Sequence, residues 1–169
     1  MKQFKTLLIA VTLVLGATSF ANAQTKVAHI ATQELIEQMP TYKAAMNQLE
    51  KLQKTYDTEI KDMVTEAQNT MKRYESEAQT KTDEENSKRA AELQQTQRTI
   101  GEYRQNAMQE LQKKEMELLK PVLEKARTTI QKVARAKGYD YVLDSTTGTG
   151  VIMADGYDLM PDVKKDLGI

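Results

Sequence analysis

Apolar and small residues recur every three or four positions through the middle of the chain, in two separate runs. One run covers Tyr42–Ala78 and the other Ala90–Leu118, with spacings of seven where a member is missing. Such spacing places the apolar residues on one face of a helix, as in a coiled-coil seam. No proline and a single glycine, Gly101, lie between Pro40 and Pro121. The pattern therefore predicts two long helices, each with one apolar seam.

A polar stretch from Gln79 to Ser87 separates the two seams. Within it, Thr82 is followed three residues later by Glu85, the spacing of a capping box, in which two side chains satisfy each other's backbone donors. We therefore expect a tight turn near residues 80–82 and a second helix after it. One continuous helix of about 80 residues is the alternative, because a capping box alone is a weak signal.

Pro40 and Pro121 lie at equal distances along the chain from this turn, so an antiparallel hairpin would bring them to the same level. Each arm would hold about 39 residues and measure roughly 58 Å at 1.5 Å per residue. A proline inside a helix costs about 3 kcal/mol, so its position should have a use. We expect both prolines to mark the junction between a slender arm, residues 41–120, and a smaller body.

The most strand-like sequences lie in residues 24–40 and 121–169, which we assign to the body. Three short strands are predicted, at Lys26–Ile30, Tyr139–Asp144 and Gly150–Asp155. The strand residues expected to join subunits are Val27, Ile30, Tyr141, Val142, Leu143, Val151 and Ile152. A body of about 65 residues without cysteine is too small to be stable alone, so we predict an obligate oligomer joined through these strands.

Helices complete the predicted body. A short helix begins near Thr32, the second long helix ends with Gly138 as its C-cap, and a final helix follows Pro161. The fold class is therefore α+β and mainly α. It combines a small β body, joined across subunits, with a long antiparallel coiled-coil hairpin.

Residues 1–23 have the features of a secretory signal peptide: two lysines, an apolar run over Leu7–Ala17, and small residues ending in Ala21-Asn22-Ala23. Cleavage is expected after Ala23, and an uncleaved N-terminal anchor is the alternative. The mature chain should be exported, without stable membrane insertion, because no apolar run reaches the length of a membrane helix. Two of the 24 basic residues lie in this segment, leaving 22 against 24 acidic ones, so no nucleic-acid partner is indicated.

Little in the chain points to catalysis. His29 is the only histidine and lies in a predicted strand, so we expect a structural role rather than that of a base or metal ligand. No phosphate-binding G-x-x-x-x-G-K loop occurs, and the acidic pair Glu84-Glu85 lies in a charged, solvated turn. We therefore predict neither an enzyme nor a bound cofactor.

Three segments together resemble the OmpH/Skp family of periplasmic chaperones: KVAHIATQELIEQMP, KPVLEKARTTIQKVARAKGYDYVLD and DGYDLMPDVKKDLGI. The resemblance covers the whole mature chain and is specific in these body segments. It implies a jellyfish-like homotrimer with a β-barrel-like body and three helical tentacles around a cavity. It also implies a holdase that binds unfolded outer-membrane β-barrel proteins without ATP and prevents their aggregation in the periplasm.

Two features depart from the family pattern. The best-known members are strongly basic, whereas this mature chain is near neutral, so charge steering of clients is not carried over. Met160 stands where related chains often have a threonine as the N-cap of the last helix. Pro161 at the first helical position and Asp162 near the positive end of the helix dipole should partly compensate.

Apolar side chains that lie off the seams are the candidates for client contact, since methionine in particular adapts to varied apolar partners. They are Leu52, Val64, Tyr103, Met108, Met116 and Leu119. Ordinary exposed or arm-packing roles are the alternative for each of them. The seam should pack loosely, because the polar residues Gln97, Arg104 and Lys114 fall on it.

The competing function is an exported coiled-coil scaffold or adaptor of the cell envelope. Such a protein would need a regular, well-packed seam and a specific binding patch, whereas the Met, Tyr and Ala seam favours loose packing and diffuse contacts. An arm that lies on a membrane is disfavoured, because its polar faces mix both signs of charge.

Overall fold

The computed structural model describes residues 25–169, so the predicted signal peptide lies outside the described residues. The elements in chain order are β1 (Val27–Ile30), α1 (Thr32–Gln38), α2 (Pro40–Glu77), a 3-10 turn (Ala78–Thr80), α3 (Asp83–Ala136), β2 (Tyr141–Asp144), β3 (Tyr157–Asp158) and α4 (Met160–Leu167). The fold is α+β and mainly helical, which confirms the predicted class.

Helices α2 and α3 form the predicted antiparallel hairpin, and the chain turns between Glu77 and Asp83. The capping box is present: the backbone N–H of Glu85 donates to the Thr82 hydroxyl, and the Glu85 carboxylate accepts from the backbone N–H of Thr82, each at 3.2 Å. The side chain of Asn86 donates to the carbonyl of Ala78 at 3.0 Å. These local bonds end one helix and start the next, so a single continuous helix is excluded.

The two prolines occupy different positions in their helices. Pro40 begins α2, where the N–H that it lacks has no helical partner in any case. Pro121 lies inside α3, which continues past it to Ala136. Pro121 also lines a small cleft with Thr41 and Ala45 of α2, so the prolines lie at the same level, as the sequence predicted.

Strand β1 is the centre of a three-stranded parallel sheet with the order β2-β1-β3. Val27 pairs with Tyr141, and Ala28 pairs with Tyr157. The first two strands were predicted, but the third was wrong: Val151 and Ile152 lie outside any strand. Tyr157–Asp158 takes that place beside β1, and Ile152 is fully exposed.

The core of the body joins β1, α1, α4 and the C-terminal part of α3. Its buried members are Ala28, Ile30, Leu35, Met39, Val122, Ala126, Ile130, Val133, Ala134, Leu159, Met160 and Val163. The start of α4 and the end of α3 differ slightly from the predicted positions. The N-cap of α4 is Leu159 rather than Met160, which is the first helical residue. The backbone N–H of Met160 donates a hydrogen bond to the Asp158 carboxylate at 2.9 Å. The C-cap of α3 is Lys137, and Gly138 follows it with a φ of +74°, the left-handed conformation that glycine favours.

Candidate functional site

Both ring nitrogens of His29 lie within hydrogen-bonding distance of local partners. Nε2 is 3.2 Å from the carbonyl oxygen of Gly156, and Nδ1 is 3.2 Å from the Ser145 hydroxyl. Among residues 25–169, no cluster of His, Cys, Asp and Glu could hold a metal ion, and no helix is long and apolar enough to cross a membrane. The contacts of His29 support the structural role predicted for it.

The six predicted client-contact residues differ in exposure. Leu52 and Val64 of α2 and Tyr103 and Leu119 of α3 are half-buried. Met108 and Met116 of α3 are 59% and 66% exposed. The two methionines are therefore the most accessible of the six, and the role of each residue in client contact stays a prediction.

Tyr103 packs between the two arm helices. Its ring meets the Tyr56 ring edge to face, with the centroids 6.2 Å apart, and its hydroxyl donates a hydrogen bond to the Glu59 carboxylate. That hydrogen bond raises the pKa of Tyr103 to about 12, because ionisation would place a phenolate beside a carboxylate. Tyr103 thus joins α3 to α2, which supports the arm-packing alternative for this side chain.

On the tip side of Tyr103, a groove of about 430 Å³ lies between the helices. It is lined by Val64, Ala67, Gln68, Met71, Leu93, Gln97, Ile100 and Arg104. Lys114, the third polar residue predicted on the seam, lies outside this groove, and its Nζ is 2.7 Å from Oε2 of Glu117. Between residues 41 and 120 only Ala45, Ile100 and Ala107 are buried. The seam is therefore loosely packed along the arm.

Side-chain contacts also join the two helices at the tip of the hairpin. Nη2 of Arg89 lies 2.6 Å from Oε2 of Glu77, which links α3 to α2. The Arg89 guanidinium also lies over the Tyr74 ring, 4.5 Å from its centroid. The Tyr74 hydroxyl donates to Glu92 at 2.9 Å, a second link between the helices. Charged and aromatic side chains thus hold the tip together where the apolar seam lapses.

A cleft of about 550 Å³ opens in the body between β2, α1 and α3. Its apolar lining includes Ile30, Ile36, Leu123, Ala126, Ile130, Ala134, Tyr139, Tyr141 and Val142. Leu123 is 48% exposed and was missed by the sequence reasoning. The available signal was its spacing of seven residues from Met116, which places both side chains on nearly the same face of α3.

Asp144 lines the same cleft and fixes the loop that follows β2. Its carboxylate accepts hydrogen bonds from the backbone N–H and hydroxyl of Thr146, at 2.9 and 2.6 Å, and from the backbone N–H and hydroxyl of Thr32. Burial favours the neutral acid, but these four bonds outweigh burial and lower the pKa of Asp144 to about 2. The ionised carboxylate therefore ties the start of α1 to the end of β2.

The outer face of the sheet carries exposed apolar side chains. Val27, Tyr141 and Leu143 are 43%, 62% and 45% exposed, and the register places Val27 beside Tyr141. Of the other predicted subunit-joining residues, Ile30 is buried in the core and Val142 packs against it. The sheet thus presents three accessible apolar residues on its outer side.

A cluster at the other edge of the body fixes β3 and α4 against α3. Nζ of Lys137 lies 3.0 Å from the Tyr157 hydroxyl and 2.9 Å from Oδ1 of Asp162. These contacts raise the pKa of Lys137, with the Tyr157 hydrogen bond contributing most, and the pKa of Asp162 is lowered chiefly by its hydrogen bond with Lys137. Tyr157 also stacks on Tyr139 with 5.5 Å between centroids. The cluster is a structural junction.

A small parallel sheet that carries a long helical hairpin defines a known architecture. Residues 26–167 match the model of the family described as Outer membrane protein (OmpH-like), so the chain belongs to the OmpH family. The fold is similar to the crystal structure of an OmpH-like protein from Caulobacter crescentus CB15, with a TM-score of 0.75 and 21% identity over 87% of this chain and 86% of that one. The resemblance seen in the sequence is confirmed.

Curated relatives cover most of the chain at low identity. Chaperone protein Skp of Photorhabdus luminescens is 27% identical over 131 residues, 78% of this chain and 79% of the relative. Chaperone protein Skp of Pectobacterium atrosepticum is 24% identical over 155 residues, 92% of this chain and 93% of the relative. These relatives are chaperones by name and the family is non-enzymatic, which confirms the expectation that this protein is not an enzyme.

Proposed function

We propose that this protein is a periplasmic holdase that binds unfolded outer-membrane β-barrel proteins between helical arms, without ATP, and prevents their aggregation. The observation that carries the proposal is the loosely packed arm, which buries only three of its residues and leaves Met108 and Met116 exposed. Such an arm can adapt to apolar segments of different shapes. The relatives named as chaperones support the same function.

In this proposal residues 1–23 form a signal peptide that is cleaved after Ala23 and directs the chain to the periplasm. Residues 41–120 form the arm, with its tip at residues 80–82. Residues 24–40 and 121–169 form the body, and Pro40 and Pro121 mark the junction.

The proposed assembly is a jellyfish-like homotrimer joined through the body. The exposed Val27, Tyr141 and Leu143 on the outer face of the sheet support it, since apolar side chains of this size would be covered by a neighbouring subunit. The small size of the body core supports it as well, because domains of this size rarely persist alone without a staple. Three arms around one axis would enclose a cavity for the client.

The proposal is tested by diluting a urea-unfolded outer-membrane β-barrel protein into nucleotide-free buffer that contains the purified mature chain, and by following turbidity. We expect aggregation to be suppressed at a small molar excess of chaperone trimer. Unchanged turbidity across a wide excess would refute the holdase and favour an envelope scaffold, for which a folded partner would then be sought.

The effect of salt concentration distinguishes a client held by apolar contacts from one held by charge. The mature chain is close to neutral, so we expect suppression to change less than about twofold between low and high salt, because screening weakens only the charge contribution. A large loss of suppression at high salt would show that charge holds the client.

A further inference from the structure

One face of α3 carries no charge between the middle of the arm and the body. Seven successive positions at spacings of three and four form this face, which we call the uncharged stripe: Gly101, Gln105, Met108, Gln112, Met116, Leu119 and Leu123. Eight charged residues lie within the same segment, and all of them fall at other positions. Spacings of three and four keep side chains on one helix face, so the absence of charge is a property of a continuous surface.

The uncharged stripe is accessible and is not used to build the hairpin. Met108, Met116 and Leu123 are 59%, 66% and 48% exposed, and of the seven positions only Leu119 is half-buried. The contacts of α3 with α2 run along a different face, through the buried Ile100 and Ala107. The stripe therefore remains open in the folded chain.

At its body end the stripe continues into the body cleft. Leu123, the last stripe residue, lines this cleft. Ala126, Ile130 and Ala134 continue the spacing of three and four along α3 and line the cleft as well. The stripe is thus continuous with the apolar side of the cleft that α3 provides, while Arg127, Arg135, Asp140 and Asp144 also line the cleft.

The size of the stripe limits what it can hold. At 1.5 Å per residue it is about 33 Å long, and a helix face about 10 Å wide gives an area of about 330 Å². A standard protein–protein interface covers about 800 Å² on each partner, so the stripe is too small to be a stable contact between two folded copies. It suits a weaker and reversible contact.

The same length fits one extended segment. A stretch of about 33 Å accommodates about ten residues in extended conformation. A transmembrane β-strand has about 9 to 11 residues, and its lipid-facing side chains are apolar. A charged client side chain would lose its water at the stripe without gaining a partner there, so the stripe favours uncharged segments.

We propose that the uncharged stripe takes an extended, uncharged segment of the client that is destined to become one transmembrane strand, with the apolar end of the segment in the body cleft. This inference rests on the proposed holdase function and narrows the client surface to one face of α3. Leu52, Val64 and Tyr103 are not part of it. Methionine and glutamine suit the task because their unbranched side chains adjust to strands of different sequence.

The test compares two variants that make the same change in net charge. Met116→Glu places a carboxylate on the stripe, and Asn106→Glu places one at an exposed position of α3 off the stripe. With a fluorescently labelled, urea-unfolded outer-membrane β-barrel protein, the dissociation constant should rise about tenfold for Met116→Glu and less than twofold for Asn106→Glu. Circular dichroism and light-scattering mass should match the unsubstituted protein in both variants, since glutamate is a good helix former.

Equal affinities for the two variants would overturn the stripe while leaving the holdase intact, provided that the unsubstituted protein suppresses aggregation. A protein that suppresses no aggregation at all would overturn both. The Met116→Gln variant gives a second reading, because it removes the apolar side chain without adding charge, and it should weaken binding less than Met116→Glu.

A second measurement identifies the occupant of the stripe. The chain has no cysteine, so Met116→Cys and Asn106→Cys each carry an environment-sensitive dye at one position. A ten-residue peptide of alternating Leu and Thr should shift the emission of the dye at position 116 to the blue, and the same peptide with Glu in place of Thr should not. A blue shift that depends on chaperone concentration in the absence of any peptide would assign the stripe to a second copy and overturn the proposal.

Discussion

Arg89 and Glu77 join the two arm helices next to the turn, with Nη2 of Arg89 2.6 Å from Oε2 of Glu77. Arg89 also covers the Tyr74 ring, so one side chain makes an ion pair and a cation–π contact. Further along the arm, a groove of about 430 Å³ takes the place of such contacts. On the body side of this groove Tyr103 joins the helices again through Glu59, so the groove is a loosely packed stretch between two linked points of the hairpin.

Replacement of Arg89 by glutamine should loosen the tip. The change removes an ion pair and a cation–π contact, each worth about 0.5 to 1 kcal/mol at a partly exposed site. We expect the backbone amides of residues 86–92 to exchange hydrogen about five to ten times faster, measured by mass spectrometry. Lys88→Gln is the matched control, because Lys88 is exposed at the position just before Arg89. Similar exchange in both variants would show that Arg89 does not hold the tip.

Replacement of Asp144 by asparagine should destabilise the body in a way that depends on pH. At neutral pH the ionised carboxylate accepts four hydrogen bonds, and loss of the charge should cost about 1 to 2 kcal/mol of unfolding free energy. The folded pKa of Asp144, about 2, lies below the ordinary aspartate value of 3.8, so its contribution is present above about pH 4 and is lost as the pH falls towards 2.

Thermal denaturation from pH 7 to pH 2 measures this effect. The difference in melting temperature between the unsubstituted protein and Asp144→Asn should shrink over the range from pH 4 to pH 2. Asp140→Asn provides a control at an exposed carboxylate of the same body. A difference that stays constant down to pH 2 would contradict the role given to the Thr32 and Thr146 hydrogen bonds.

Replacement of Tyr103 by phenylalanine keeps the ring contact with Tyr56 and removes the hydrogen bond to Glu59. Because the folded pKa of Tyr103 is raised from 10.0 to about 12, its hydrogen bond stabilises the fold below pH 10 and is lost as the pH rises towards 12. The unsubstituted protein should therefore lose stability relative to Tyr103→Phe between pH 10 and pH 12. Denaturant titrations across that range provide the measurement, with Tyr42→Phe as the control.

Client holding by Tyr103→Phe adds an independent result. If Tyr103 packs the arm, the variant should suppress aggregation as well as the unsubstituted protein at neutral pH. A clear loss of holding, with the hairpin still helical by circular dichroism, would assign Tyr103 a direct client contact.

Replacement of Leu143 by glutamate should dissociate the proposed trimer. Leu143 is 45% exposed on the outer face of the sheet, and a carboxylate buried there between subunits would cost several kcal/mol. Light scattering should give the mass of one chain for Leu143→Glu and of three chains for Asn106→Glu at the same concentration. An unchanged mass for Leu143→Glu would place the subunit interface elsewhere.

The hairpin could be predicted from sequence because its determinants are local. Thr82 and Glu85 are three residues apart, and Pro40 marks a helix start by its own geometry. The third strand could not be predicted, because a strand depends on a distant partner. The stretch with Val151 has the stronger apolar pattern, yet β1 pairs with Tyr157–Asp158.

The candidate client-contact residues show a different limit of prediction from sequence. Tyr103 and Met108 both lie off the seam, but five residues along a helix separate them by about 140°, and only Tyr103 meets the other helix. In the sequence, the uncharged stripe is marked only by the absence of charged residues at positions spaced by three and four. Gln105 and Gln112 belong to it but are not apolar, so the pattern of apolar side chains alone does not reveal the stripe.

Helix α3 runs without interruption from Asp83 through Pro121 to Ala136, so more than two thirds of it lies in the arm and its end is fixed in the body core. A short segment of the helix, residues 121–136, lies in the body, and a long segment, residues 83–120, extends into the arm. From Pro121 to the start of the helix is about 57 Å, so a tilt of only about 5° at the body would displace the tip by about 5 Å. Small differences in packing around Ile130 and Val133 in the body core would thus set how far apart the arm tips of the proposed assembly lie.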